Sequence, residues 1–465
     1  METERLVADR AIPLLQTLVR NACVNTGAED SGEETRSIEA IRGFLSEFDI
    51  ESSIVYARPD RANLVARIPG RDPLQPTLAF MGHVDVVPAD ASQWSRDPFG
   101  GEVIDGEVWG RGTLDMLGMV ATSVAAFTAI AESEPPPGDV LLIVVSDEEA
   151  GGTFGARFLT EQHPDLVKCD YMVTEVGGMY LADGRIPGLT LTVGEKGICW
   201  ARMRFHGTPG HGSMPYRSDN ALVKASKAAE ALSEYQAKPE LTPIIRDMAD
   251  AFMSDRLSRL LGRLPGTFDL ALSRLYKRNP GQAKFLHTAA RTSISPNVLT
   301  TRGKVNIVPG SAELEVDIRL LPGQGVEHAQ RMLREAIGDS NEEVDIEFFE
   351  FYPSTVSELE TPLKRATERI LTDILPNTRI VPMFIGGVTD GRYWRQRGTV
   401  VYGFAANTSE LTMDRFSAMI HGTDERIPVS CLERNLEYLT RLPYELGSDA
   451  AGHLGERVSA RVHAE

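Results

Sequence analysis

Four cysteines in 465 residues, none forming a C-x-x-C pair, are too few and too scattered for a disulfide framework or a zinc ribbon. Cys23, Cys169, Cys199 and Cys431 therefore read as reduced and mostly buried. The longest strictly aliphatic run, VLLIVV at 140–145, falls far short of the roughly 20 apolar residues that span a bilayer, so no membrane association is expected. The opening stretch METERLVADRAIPLLQTLVRNA mixes charges into an amphipathic pattern. It has neither the basic start nor the apolar block of a secretory signal, which makes the cytoplasm the expected compartment. Basic excess is also missing. A formal net charge of -18, with no basic patch evident in the sequence, argues against nucleic acid and anionic membrane as partners and leaves small molecules or short peptides. There is no G-x-S-x-G elbow for serine chemistry and no H-E-x-x-H helix for a mononuclear metalloprotease.

What is present is a long soluble chain with two alternating patterns. Its length exceeds the ~100–200 residues of one ordinary domain, so two domains are expected. Amphipathic helical spacing over about 4–22 and 35–47 precedes the strand-like NLVARIPG and TLAFMGHV, and a further helix is expected near 116–132. DVLLIVVSDEE and DYMVTEVGG are short apolar runs of the kind buried on both faces of a parallel sheet. Their acidic residues lie just past the apolar part, where open α/β sheets form their binding crevice.

From about 190 the pattern changes. GICWARMRFHG, a helical NALVKASKAAEALSEYQ, KVNIVPGSAELEVDIRLLPG, a helix near 326–337 and VDIEFFEF compose a small α+β layer. Within it, about 238–290 is rich in Leu and Arg, its apolar residues recur at helical spacing, and it reads as a helical insertion, either a dimer surface or a plain core stripe. After about 351 α/β alternation resumes, with a helix near 361–374, the strand GTVVYGF and a helix near 430–441. The first domain is thus discontinuous, 1–188 and 351–465, around a second at 189–350. The tail from 448 is polar and expected to fray.

The chemistry-bearing residues are His83 and Asp85 in GHVDVV, Asp115 in GRGTLDMLG, Glu148 and Glu149 in SDEEAGG, Glu175 in TEVGG and His421 in IHGTDERIP. Singly, each has an ordinary structural reading: a strand-end histidine, a helix cap, an acidic turn, a loop histidine. Together they offer imidazole nitrogen and carboxylate oxygen, the donors that suit zinc and similar divalent ions. A carboxylate bridging two ions about 3.5–4 Å apart is the arrangement that activates water for hydrolysis.

The ordered motifs H-x-D, G-R-G-x-x-D, D-E-E-x-G-G, E-x-G-G and a late H-G resemble those of the zinc aminoacylase/carboxypeptidase family, over about 60–440. That family includes acetylornithine deacetylase, succinyl-diaminopimelate desuccinylase, aminoacylases and several dipeptidases. The resemblance implies a di-zinc aminopeptidase-like α/β catalytic domain with a mixed, mainly parallel sheet, plus an inserted α+β, ferredoxin-like lid and dimerisation domain in a homodimer. It also implies two divalent ions per chain, zinc with cobalt or manganese as alternatives. His83 and Glu175 would hold one, Glu149 and His421 the other, and Asp115 would bridge them. Glu148 would be the general base and Asp85 would orient the His83 imidazole.

In HGTPGHGSMPYRSDNA the resemblance assigns His211 to the reacting oxyanion of a neighbouring subunit, with His206 as the competing choice. It places Asn306, Arg319 and the glycine loop Gly386–Gly387 on the substrate. Leu117 stands where relatives often carry lysine, and Val176 where glycine is common. Glu175 is the choice of the deacylase members and tilts the substrate toward N-acyl amino acids. A dipeptidase or carboxypeptidase of the same family is the alternative, and a non-catalytic metal- or ligand-binding relative is a third reading. Loss of Glu148 or of a ligand would have signalled the last, and none is lost.

Overall fold

The computed structural model describes residues 2–182, 187–338 and 344–462. Its larger sheet runs in the order Ser52–Arg58, Arg61–Ile68, Val140–Val145, Leu78–His83, Tyr171–Thr174, Val400–Gly403, Gly188–Glu195. The central pairings among Val140–Val145, Leu78–His83, Tyr171–Thr174 and Val400–Gly403 are parallel, with antiparallel strands toward the edges. Every residue of Leu78–His83, Val140–Val145 and Tyr171–Thr174 is buried, as their uninterrupted apolar character requires. Helix Leu117–Ala131 is buried from Leu117 to Ile130 because it is apolar all round and lies between the sheet and the long final helix.

The smaller sheet takes Ser293–Thr301, Ser311–Leu320, Gly197–His206 and Asp345–Tyr352 in that order, all antiparallel. With helices Ala221–Glu234 and Val326–Ile337 it has the β-α-β-β-α-β connectivity of a ferredoxin-like unit. Strict alternation along Ser311–Leu320 puts Leu314, Val316 and Ile318 into a separate core with Met203 and Phe205.

Three details depart from the sequence reading. The second domain does not begin at 189, because Gly188–Glu195 is one strand of the larger sheet. All eight residues of Gly188–Glu195 are buried there, so the chain leaves that sheet only after Glu195. The helical insertion, Pro243–Phe252 through Pro280–Ala290, packs on the larger domain. Ile245, Met248, Phe268 and Leu286 share a core with Val381 and Met383, because strand Arg379–Ile385 pairs on one side only among the described residues and needs cover. The last helix, expected over 430–441, runs Val429–Val462; residues 463–465 lie outside the described residues. Among the described residues no helix is long and apolar enough to cross a membrane.

Candidate metal centre and substrate cavity

His83 is the last residue of its strand and pairs in register with Val145, so Asp85 and the turn Glu148–Ala150 leave the sheet side by side. Glu175 follows the neighbouring strand Tyr171–Thr174. Asp115 lies just ahead of helix Leu117–Ala131, and His421 follows helix Met413–Met419.

Nε2 of His83 stands 3.3 Å from Asp115 Oδ1 and 3.6 Å from Glu175 Oε2. Nε2 of His421 stands 3.1 Å from Asp115 Oδ2 and 3.4 Å from Glu149 Oε2. Two donor clusters result, His83–Asp115–Glu175 and Asp115–Glu149–His421, each with its ligand atoms within 4.8 Å of one another. Asp115 belongs to both and turns one oxygen toward each histidine.

The residues fit divalent cations. Glu149 Oε1 is buried with no hydrogen-bond partner, an acceptor left open where a cation would stand. Burial opposes charge on His83, yet its contacts with Asp115, Asp85 and Glu175 hold the imidazole well above its ordinary pKa. Asp115 and Glu149 raise His421 to about 10. Surroundings that keep two imidazoles charged favour positive charge at this point, which a metal supplies by displacing protons.

Main-chain and side-chain atoms of Asp85 divide two tasks. Nδ1 of His83 lies 3.0 Å from the Asp85 carbonyl oxygen and 3.5 Å from its carboxylate. A carbonyl only accepts, so in the neutral ring Nδ1 carries the proton and Nε2 offers its lone pair to the cluster. The atom of Asp85 closest to the His83 ring is thus its backbone carbonyl, with the carboxylate farther off. The carboxylate accepts the N–H of Glu148 at 3.1 Å, the N–H of Glu149 at 3.0 Å and the Asn25 amide at 2.9 Å.

A second buried tie joins Asp115 to His421 across the chain. Glu425 accepts from the N–H groups of Gly112, Leu114 and Asp115. Arg111 pairs with Glu425 at 2.6 Å and donates to the Gly422 carbonyl at 2.7 Å. Asn25, Arg111 and Glu425 were not singled out from the sequence, although GRG and TDERIP held two of them. The only local signal was one charge of each sign inside two motifs.

A cavity of about 870 Å³ lies over both clusters, ample for a small ligand. Glu148 lines it and belongs to neither cluster. Burial pushes its carboxyl well up, and Glu175 beside it adds to the shift.

Residues 79–445 match the model of Peptidase family M20/M25/M40. The chain belongs to this family. As an M20 protein it is a metal-dependent hydrolase, and its sequence is similar to two curated relatives. It is 25% identical over 387 residues to the N-fatty-acyl-amino acid synthase/hydrolase PM20D1 of Bos taurus, covering 80% of this chain and 74% of that protein. It is 27% identical over 381 residues to the succinyl-diaminopimelate desuccinylase of Cereibacter sphaeroides, covering 80% and 83%. Its fold matches the M20 family metallo-carboxypeptidase Sso-CP2 of Sulfolobus solfataricus with a TM-score of 0.70 at 15% identity, over 94% of this chain and 99% of that one.

Of the remaining residues singled out in this M20 sequence, Arg319, Gly386 and Gly387 line the cavity. The two glycines differ. A Cβ on Gly386 would lie 2.2 Å from Thr288 Cγ2, whereas Gly387 has nothing within 4 Å. His211 and Asn306 stand elsewhere, on an exposed tip of the smaller unit. There Gly212 N–H donates to the Asn306 carbonyl, and Ser213 Oγ lies 2.8 Å from His211 Nδ1. His206 is paired with Asp345 at 2.8 Å on the open face of the smaller sheet and, like His211, does not line the cavity of its own chain.

Proposed function

We propose that this chain hydrolyses the amide bond of small N-acyl amino acids, with one divalent ion at His83, Asp115 and Glu175 and a second at Asp115, Glu149 and His421. Zinc is the expected metal, with cobalt or manganese as alternatives. The observation that carries the reading is the sharing of Asp115 by two donor clusters beside a carboxylate, Glu148, that is in neither. Bound ions of this kind acidify water and polarise a carbonyl oxygen. Glu148 takes the proton of the attacking water and returns it to the nitrogen as the carbon–nitrogen bond breaks. A group that passes a proton back and forth must be free of tight metal ligation, and the neighbours Glu148 and Glu149 divide in that way.

Arg319 is half-buried on the cavity wall. Its Nε donates to Asp317 at 2.8 Å, leaving the terminal nitrogens as a fork for a substrate carboxylate. Glutamate at 175 and two relatives named for acyl-amino-acid chemistry favour acylated amino acids over dipeptides. We further propose a homodimer in which the exposed tip of one subunit reaches the other's cavity. Met214 and Tyr216, three and five residues past His211, are 70% and 84% exposed, an apolar pair that a partner would cover.

The test is a hydrolysis screen of N-acyl amino acids beside dipeptides, on protein stripped by chelator and reloaded with zinc, cobalt or manganese. Metal-dependent cleavage of the acyl compounds is expected. Activity that survives stripping, or cleavage of dipeptides alone, would overturn the reading.

A further inference from the structure

The helical insertion reaches the substrate cavity. Phe285, on helix Pro280–Ala290, lines the same cavity as Glu148 and Arg319. Thr288, three residues on, fills the space where Gly386 would carry a side chain. Residues three apart share one helix face, so Phe285 stands beside the Ile385–Gly387 segment. The Lys196 N–H donates to the Ile385 carbonyl at 3.0 Å, which brings Ile198 alongside. Ile198 in turn pairs in register with Arg319. Phe285, Ile385 and Ile198 therefore form an apolar wall that adjoins the Arg319 guanidinium.

We infer that the insertion is a specificity element of the active site: through Phe285 it selects substrates whose carboxylate-bearing half carries a bulky apolar side chain. The inference rests on the amide-hydrolase reading above, with Arg319 at the substrate carboxylate. An apolar wall offers no partner to a charged or polar side chain, whose desolvation would go uncompensated. A leucine or phenylalanine side chain gains by leaving water. The tight seat of Thr288 on Gly386 couples the insertion to the loop that borders the cavity. Glycine at 386 is thus explained by packing, while Gly387 keeps the open approach to ligand.

The experiment compares kcat/KM for N-acetylleucine, N-acetylphenylalanine, N-acetylalanine and N-acetylaspartate in the zinc-loaded wild type, Phe285→Ala and Phe285→Leu, with thermal unfolding to establish that each variant is folded. The wild type is expected to favour the leucine and phenylalanine compounds by about tenfold or more over the others. Phe285→Ala should lose most of that preference, the leucine and phenylalanine compounds falling further than N-acetylalanine because they lose an apolar contact that the smaller side chain does not make. Phe285→Leu, which keeps an apolar side chain, should retain it. A wild type that prefers aspartate, or a folded Phe285→Ala with the preference intact, would overturn the inference. Failure of the wild type to cleave any of the amides would instead overturn the proposed function.

Discussion

The carboxylate of Asp85 accepts the main-chain N–H of Glu149 at 3.0 Å. It also accepts the N–H of Glu148, so one buried acid fixes the turn that presents the proposed base and the proposed metal ligand in adjacent positions. Asp85→Ala should leave His83 oriented by the residue's carbonyl and release this turn. Metal affinity is expected to fall about 10–100-fold, the usual effect of losing a group that supports ligands. Competition with a chromophoric chelator measures it, and unchanged affinity would mean that the turn holds its shape without Asp85.

Glu148→Gln removes the proposed base and keeps every proposed ligand. The variant should bind its metals with wild-type affinity and lose about 10²–10⁴ in kcat. Metal titration and steady-state kinetics on the same preparation separate the two effects. A normal rate would assign the proton transfer to another group.

His211 lies outside the cavity of its own chain, so its contribution is expected in trans. His211→Ala should keep its metals and lose about 10²–10³ in kcat, the scale of one oxyanion donor. Mixing it with Glu148→Gln under conditions of proven subunit exchange should restore activity, because one site of the hybrid has both groups. No recovery would place the donor within one chain.

Lys196 is fully buried, and burial, with Arg319 beside it, lowers its pKa to about 7. In the unfolded chain its pKa is near the ordinary 10.5. Below about 7 the folded protein must hold a buried ammonium, which costs stability. That cost fades as pH rises from about 7 toward 10.5, by at most ~1.4 kcal/mol per pH unit. Lys196→Met should therefore be more stable than the wild type at pH 6, by a margin that shrinks at pH 9. Denaturant melts at the two pH values check this, and a margin independent of pH would show that the lysine is not the titrating group.

The candidate metal-binding cluster was legible because each of its residues sits in a short motif just past a strand or beside a helix, and parallel register alone carries His83, Glu148, Glu149 and Glu175 to one edge. The tie that joins Asp115 to His421 was not. Arg111 and Glu425 are 314 residues apart, and no spacing announces a pair that meets only after the chain has folded. The insertion was legible as helices, since its apolar residues recur at helical spacing. Where its apolar stripe packs depended on an edge strand far along the chain, and its reach into the cavity through Phe285 depended on that packing. The second-domain boundary slipped from Glu195 to 188 for a related reason: GLTLTVGE has no feature that separates a strand of the larger sheet from one of the smaller.

Whether two cations share Asp115 is read directly by calorimetric zinc titration of stripped protein. The wild type should bind two ions per chain, Glu149→Gln should keep one tight site, and Asp115→Asn, nearly the same shape without the charge, should weaken both. A wild type that binds a single ion, or an Asp115→Asn protein that still binds two tightly, would show that Asp115 does not hold two cations together.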